Sequence, residues 1–498
     1  VTDGDVISFV GSDDAARRSA PGQTEVDLCG RLLTPAFVDA HVHLIQTGLA
    51  MAGLGLHDAT SRVDAVERVA TYARHQPDVQ VIIGHGWDER AWPEPLPPTR
   101  TELDRAAGGV AVYLARVDVH SAVVSSTLLD RLPGVSETIG YRADGLLTRE
   151  AHHLCRGSLD RLLTDHQRRS AAHTALRAAA AQGVATVHDL GGPHLGPIED
   201  LTRVREVASD LGMGVVLYWG DLATEPTIEW AQRAGVAGLA GDLCIDGAIG
   251  SRTASLQEPY ADAETCGARY LSEQQIADHM IACTLAGLQA GFHCIGDDAV
   301  AVAVSGMRRA AATLGVPRIR AARHRLEHVE MISDADIATL AELGVVASMQ
   351  PAFDAAWGRP GELYAQRLGP NRAQAMNRFG TLERAGVPLA FGTDAPVTPL
   401  AGWATVQAAV QHWQPRERLS ISSAFDAATK GAHWAAFADN AGTVQLGAAA
   451  SLAVWDVEAG SLEGEAPLPA LRDGALPTCA ATIAAGELIY RSEWFEVG

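Results

Sequence analysis

The chain has 498 residues, and 47% of them are hydrophobic, which permits a large buried core and argues against general disorder. A formal net charge of −21 repels phosphate backbones, so nucleic acid is a poor main partner and a small molecule is expected instead. No apolar run approaches the ~20 residues of a membrane helix, and seven scattered cysteines without CxxC spacing read as reduced thiols of a cytoplasmic protein, not as a disulfide framework.

The opening Val1-Thr-Asp-Gly-Asp5 reads as the middle of a domain, implying a native start further upstream, and no charged-then-apolar signal pattern follows it. Residues 1–34 alternate short apolar runs with turns, as in Val6–Val10 followed by Gly11-Ser-Asp-Asp14, which predicts hairpin-like β structure. Ser451–Trp455 and Ala481–Ile483 read the same way, with Gly447 and Gly460 as punctuation. Residues 1–34 and 440–498 are therefore expected to pair into one small β domain, with residues 35–439 inserted between them.

The long middle alternates strands and helices, the pattern of a parallel α/β fold. Strands are predicted at Val81–Gly84, Val184–His188, Val215–Trp219, Leu243–Asp246, Gln289–Cys294, Arg323–His328, Val345–Gln350 and Leu389–Gly392. Alanine-rich helices are predicted at Gln167–Gln182 and Asp297–Leu314. Roughly eight βα units fit a (β/α)8 TIM barrel better than an open sheet. Residues 51–150, including the proline-rich stretch Pro93–Pro98, exceed one βα unit and read as an insertion partly covering the barrel mouth.

Four segments carry the chemistry. In Thr34-Pro-Ala-Phe-Val-Asp-Ala-His41-Val-His43, an apolar strand leads into two histidines two residues apart, a spacing that puts both imidazoles on one face and lets them grip one divalent ion. His293 ends the strand-like run before Gly296-Asp297, and His328 ends Arg325-Leu-Glu-His328. Asp394 follows the apolar run Leu389–Gly392. Each alone is as well read as an ordinary core or surface residue. In a barrel, however, all strand ends converge on one face, so the five side chains would meet at one point.

These motifs, in this order, resemble the amidohydrolase superfamily and in particular its YtcJ-like branch, amidohydrolase family 3. The resemblance includes Gly84-His-Gly-Trp-Asp88…Trp92, Asp246-Gly-Ala-Ile-Gly-Ser-Arg-Thr253, His293-Cys-Ile-Gly-Asp297, Glu327-His328, Gly392-Thr-Asp394 and Gly442-Thr-Val-Gln-Leu-Gly447, and covers nearly the whole chain. It implies a barrel joined to a small β-sandwich made from both chain ends. It further implies metal-site roles for His41, His43, His293, His328 and Asp394, and hydrolysis of an amide, formamide or carbamate-like C–N bond. Deamination or cyclic-imide or ester hydrolysis on the same scaffold, or a non-catalytic binding protein, are the alternatives.

One position departs from the family. Many relatives place a lysine, often carboxylated to bridge two metals, four residues before the Asp-Gly of strand four; here that position is Asp242. Asp242, Cys244 and Asp246 share one face of the predicted strand, so one of them could replace the bridge, Cys244 being equally well a small core residue. The simpler expectation is a single ion, most simply zinc, with cobalt, nickel, iron or manganese as alternatives and two ions as the other stoichiometry. Asp394 is the candidate general base, and His328 a ligand or transition-state donor. Arg252 orients substrate or forms a structural ion pair. His85, Trp87, Asp88 and Trp92 are candidate substrate-binding residues, or packing for the insertion. His120, His152, His153, His188 and His433 read as structural or surface histidines, with His188 the least safely set aside. A homodimer is one open expectation for the assembly.

Overall fold

The computed structural model describes residues 1–76, 79–457, 462–463, 468–471, 476–493 and 495, so Gly460 lies outside the described residues. Eight parallel strands form the central sheet: β1 (Phe37–Val42), β2 (Val184–Gly191), β3 (Gly214–Trp219), β4 (Gly238–Leu239), β5 (Gln289–Cys294), β6 (Arg325–His328), β7 (Val346–Met349) and β8 (Leu389–Phe391). They follow one another around the sheet in chain order, β1 to β8. The ring is drawn shut just past β8, where Val42 bridges Ala395 in the parallel sense. There Asp394 N–H donates to His41 O at 2.7 Å, and His43 N–H donates to Ala395 O at 3.0 Å. The fold is thus an α/β barrel. Every residue of β1, β5, β6 and β7 is buried, as expected of strands covered on both faces.

The helices close on this ring through small side chains. Asp165–Ala180 starts with a capping box between Thr164 and Gln167 and buries Ala171, Ala172, Ala175 and Ala179. It lies so close to helix Leu44–Ala52 that a Cβ on Gly48 would stand 1.9 Å from the carbonyl oxygen of Ala171, so only glycine permits this approach. Helix Asp297–Leu314 occupies the predicted bounds. No helix among the described residues is long and apolar enough to cross a membrane.

Two predicted strands are corrected. Leu243–Asp246 is not a strand; only Cys244 bridges His293, and the fourth barrel strand is the two-residue Gly238–Leu239. The apolar alternation there is real, but the Asp246 carboxylate accepts backbone N–H groups from Ser255, Ile295 and Gly296, which satisfies turns instead of a ladder. Val81–Gly84 is a strand, Val81–Trp87, but belongs to the insertion, and the barrel's first strand is the one carrying His41.

The insertion is a layer in its own right. Leu54–Gly55, Val81–Trp87, Ala111–Arg116, Ser121–Val124 and Leu146–Thr148 form a five-stranded sheet, parallel across the first three strands and antiparallel across the rest. Its two faces bury separate apolar clusters, one around Ile82, Trp87 and Leu114, the other around Tyr113, Val124 and Leu147. Helix Arg149–Ser158 follows directly and carries side chains to the barrel mouth, so this layer reaches past residue 150.

The two chain ends meet in a four-stranded antiparallel sheet in which Leu32–Pro35 pairs with Leu452–Asp456, followed by Thr478–Ala484 and Glu487–Arg491. Trp455 ties this sheet to the barrel. Its indole N–H donates to Thr34 Oγ1 at 2.8 Å, and its ring packs edge-on against Phe37 at the start of β1. Two short strand pairs, Thr2–Asp3 with Val6–Ile7 and Leu462–Glu463 with Leu468–Pro469, complete the β structure of the ends.

Candidate metal centre

His41 is the next-to-last residue of β1 and His43 follows its end, and the structure turns both Nε2 atoms to one point. His41 Nε2 lies 3.4 Å from Asp394 Oδ1 and 3.6 Å from Asp242 Oδ1. His43 Nε2 lies 3.1 Å from Asp394 Oδ1 and 3.4 Å from Asp242 Oδ2. Two sets of donor atoms fall within 4.8 Å of one another, His41 with His43 and Asp394, and His41 with Asp242 and His328. His293 stands beside them, its ring centroid 4.4 Å from that of His328.

The histidines are fixed from behind. His41 Nδ1 donates to Glu327 Oε2 at 2.9 Å, and His43 Nδ1 donates to Leu190 O at 2.8 Å. His328 Nδ1 donates to Gln350 Oε1 at 2.7 Å. Each pairing places a proton on Nδ1 and leaves Nε2 as the position an ion would take, the usual support of a metal-ligating imidazole. Glu327 is held in turn by the Arg325 guanidinium, which also donates to Ser348 and to the Ala40 carbonyl. His328 and Asp394 both hold positive φ, 71° and 54°, a backbone conformation rare for such residues and common at functional sites.

The site's electrostatics suit a cation. Burial alone would push His41 down, but the Asp394 and Glu327 charges outweigh it and hold its pKa up at about 10. Burial raises Asp242 and Asp394, yet His43 and His41 pull both carboxyls below the usual range. Glu327 also falls below its ordinary value, because the Arg325 and His41 charges overcome burial. His328 is neutral, driven to about 3 by burial and by His293 and His41. His41 Nε2, Asp242 Oδ1 and both ring nitrogens of His293 are buried without a hydrogen-bond partner. Buried polar atoms are normally satisfied, so this cluster of orphans fits a bound divalent ion.

Of the three candidates for the bridging place, only Asp242 faces the centre. Asp246 spends its oxygens on the three backbone N–H groups above and lies 3.6 Å from His293 Nδ1, so it anchors a ligand instead of bridging. Cys244 Sγ sits 3.4 Å from the Asp242 carbonyl and 3.9 Å from His194 Nε2, and burial pushes its thiol well up, away from the thiolate a metal needs.

Other candidates fall away from the centre. Arg252 is turned to Asp262, with Nε and Nη2 contacts of 3.0 and 2.6 Å, and does not line the central cavity. Trp87 and Trp92 are packing for the insertion, their indole N–H groups donating to Leu114 O at 2.8 Å and Ala59 O at 2.7 Å. Asp88 pairs with Arg90 and the buried Arg116. His85 lines the mainly apolar cavity beside the centre, with Nδ1 3.1 Å from His57 Nε2.

Three histidines set aside as structural stand at the site. His120, His152 and His153 of the insertion, together with His194 from the loop after β2, line the cavity that holds His43, Asp242 and Asp394. His188 is fully buried inside the barrel and accepts from Arg325 Nη1 at 3.2 Å, while His433 is buried and does not line that cavity. Glu327 was legible beside His328, since Arg325 and Glu327 alternate as charges in an otherwise apolar strand. Nothing in the local sequence pointed to His120, His153 or His194, whose role depends on where the insertion folds.

The profile of the amidohydrolase family matches residues 24–490. The chain is 28% identical over 462 residues to the protein LONG AFTER FAR-RED 3 of Arabidopsis thaliana, spanning 84% of this chain and 76% of that protein. It is 26% identical over 433 residues to a Bacillus subtilis (strain 168) protein bearing the name amidohydrolase YtcJ, spanning 82% and 79%. The crystal structure of an uncharacterized metal-dependent hydrolase from Pyrococcus furiosus superposes with a TM-score of 0.71 at 25% identity, covering 92% of this chain and 94% of that one. With the barrel, the histidine-carboxylate centre and a family match over nearly all its length, this chain belongs to the amidohydrolase family.

Proposed function

We propose that the protein is a metal-dependent hydrolase that cleaves a C–N bond of a small amide, formamide or carbamate. The observation that carries this reading is the convergence of the His41 and His43 Nε2 atoms with the Asp242 and Asp394 carboxylates, every contact lying between 3.1 and 3.6 Å. His41, His43, Asp394, Asp242 and His328 would hold the ion, with His293 beside them. Zinc suits this donor set best, and cobalt, nickel, iron and manganese are chemically admissible. A divalent ion in such a site supplies Lewis acidity and lowers the pKa of water from about 15.7 to about 7.

The chain's own groups then divide the work. Asp394 turns Oδ1 to both histidines, which leaves Oδ2 to take a proton from the attacking water and return it to the departing nitrogen. His328, with its proton on Nδ1, would offer its Nε2 lone pair to the ion and so would not donate a hydrogen bond to the oxyanion. The insertion roofs the centre and excludes bulk water, which strengthens every charge interaction inside.

The test is metal content per chain in gently purified protein, followed by assay of formamides, N-acyl amines and carbamates for release of amine. One or two equivalents with hydrolysis would support the reading. No metal after incubation with zinc, manganese or cobalt, or bound metal with no cleavage across the panel, would overturn it.

A further inference from the structure

Helix Arg149–Ser158 brings Arg156 to the roof of the centre. Arg156 lines the same cavity as His43, Asp242 and Asp394. It also lines an adjoining, mainly apolar cavity of about 60 Å³ walled by Leu49, Ile83, Tyr113 and Leu195. Val119 is the other residue common to both spaces.

Among the described residues Arg156 has no counter-ion. Its one hydrogen bond is a long contact, Nη1 to Val119 O at 3.5 Å, and among the described residues no carboxylate lies within 4.0 Å of it. The buried arginines here are paired: Arg116 with Glu89 and Asp118, Arg168 with Asp200, Arg325 with Glu327, and Arg367 with Asp262. With 60 acidic residues against 39 basic ones, an arginine left unpaired beside a reactive centre stands out. The carboxylates that share its cavity, Asp242 and Asp394, are turned to His41 and His43 instead. His120, His152, His153 and His194 line that cavity beside it, and His85 lines the adjoining one. A half-buried guanidinium with no carboxylate paired to it favours an anion, and its planar fork matches a carboxylate.

We propose that Arg156 binds a carboxylate of the substrate, so that the molecule cleaved is an anionic amide bearing a short apolar group in the adjoining cavity. This rests on the hydrolase reading for the reaction, but not for the binding. The small volume of the space beside Arg156 favours a compact carboxylate over a phosphate ester. Because Arg156 belongs to the insertion and the metal ligands to the barrel, such a substrate bridges the two layers, and specificity is read by the insertion.

The test uses zinc-loaded protein and calorimetric binding of two matched pairs, succinate against succinamate and glutarate against glutaramate. Within each pair one carboxylate is common and can face the metal, so the difference reports the second anion alone. Wild type is expected to prefer each dicarboxylate by about tenfold or more. Arg156→Gln should bring the ratio to about one, and Arg156→Lys should keep part of the preference. Equal affinity within both pairs in wild type, a preference that survives in Arg156→Gln, or no binding of any of the four ligands would overturn the proposal. No turnover is needed for this readout. If the preference holds while the amide panel is not cleaved, the hydrolase reading fails alone. If amides are cleaved regardless of a carboxylate, and Arg156→Gln leaves kcat/KM unchanged, the anion site fails alone.

Discussion

His41 Nδ1 lies 2.9 Å from Glu327 Oε2, linking the first and sixth strands of the barrel across 286 residues of sequence. Glu327 is fully buried and shares its charge between this imidazole and the Arg325 guanidinium. Glu327→Gln would strand a buried cation and release the ring that aims Nε2 at the ion. Breaking a buried pair this way costs about 3–5 kcal/mol, and loss of such a support lowers metal affinity roughly 10–100-fold. Urea unfolding and competition with a chelator measure the two effects separately. Unchanged metal affinity would mean that Glu327 serves stability alone.

Asp242 turns its two oxygens to His41 and His43 separately. Asp242→Ala is expected to reduce bound metal and to weaken what remains by at least about tenfold. The matching change Cys244→Ala should leave metal content as in wild type, since that thiol faces a backbone carbonyl and His194. Elemental analysis of the two variants side by side decides it, and a loss of metal in Cys244→Ala would reverse the assignment.

Asp394→Asn keeps the shape of the side chain and removes the proton acceptor. The expected loss in kcat is about 10²–10⁴-fold, with circular dichroism showing the fold retained. A variant that binds metal normally and still turns over at the wild-type rate would remove Asp394 from the base role.

Stability should fall on the acid side through histidines remote from the centre. His324 Nδ1 accepts the Ala290 N–H at 2.8 Å and its Nε2 lies 2.8 Å from Thr284 Oγ1. Protonation would destroy that acceptor, and burial holds its pKa down at about 3. His279 is placed alike, accepting from Ala223 N–H at 3.0 Å, and is pushed down to about 4 by burial. The unfolded chain therefore binds more protons than the folded one between pH 6.5 and those values. The stability these groups confer is present above pH 6.5 and is lost as pH falls toward 4 and then 3. His324→Gln should flatten the slope of unfolding free energy between pH 6.5 and 5 by up to about 1.4 kcal/mol per pH unit. An unaltered slope would show that His324 takes up no proton on unfolding.

Much of the barrel was legible from the chain alone, because a parallel strand buried on both faces must be apolar throughout, and such runs separated by alanine-rich helices have few other uses. The chemistry-bearing ends of β1, β5, β6 and β8 were legible for a related reason: His41, His43, His293, His328 and Asp394 interrupt apolar runs where a polar group demands a partner. The same rule misassigned Leu243–Asp246, whose alternation mimics a strand while Asp246 satisfies turn amides, and Val81–Gly84, a true strand of a different sheet. What the sequence by itself determined is therefore the set of ligand types and the alternating order of elements, both written in local periodicity. What only the tertiary structure decided is which groups meet: Asp242 at the centre and not Cys244 or Asp246, Arg252 out on Asp262, and Arg156 with His120, His152 and His153 folded over the mouth. Those meetings depend on where an inserted layer docks and how turns aim single side chains, and contacts made across a hundred or more residues leave no trace in local pattern.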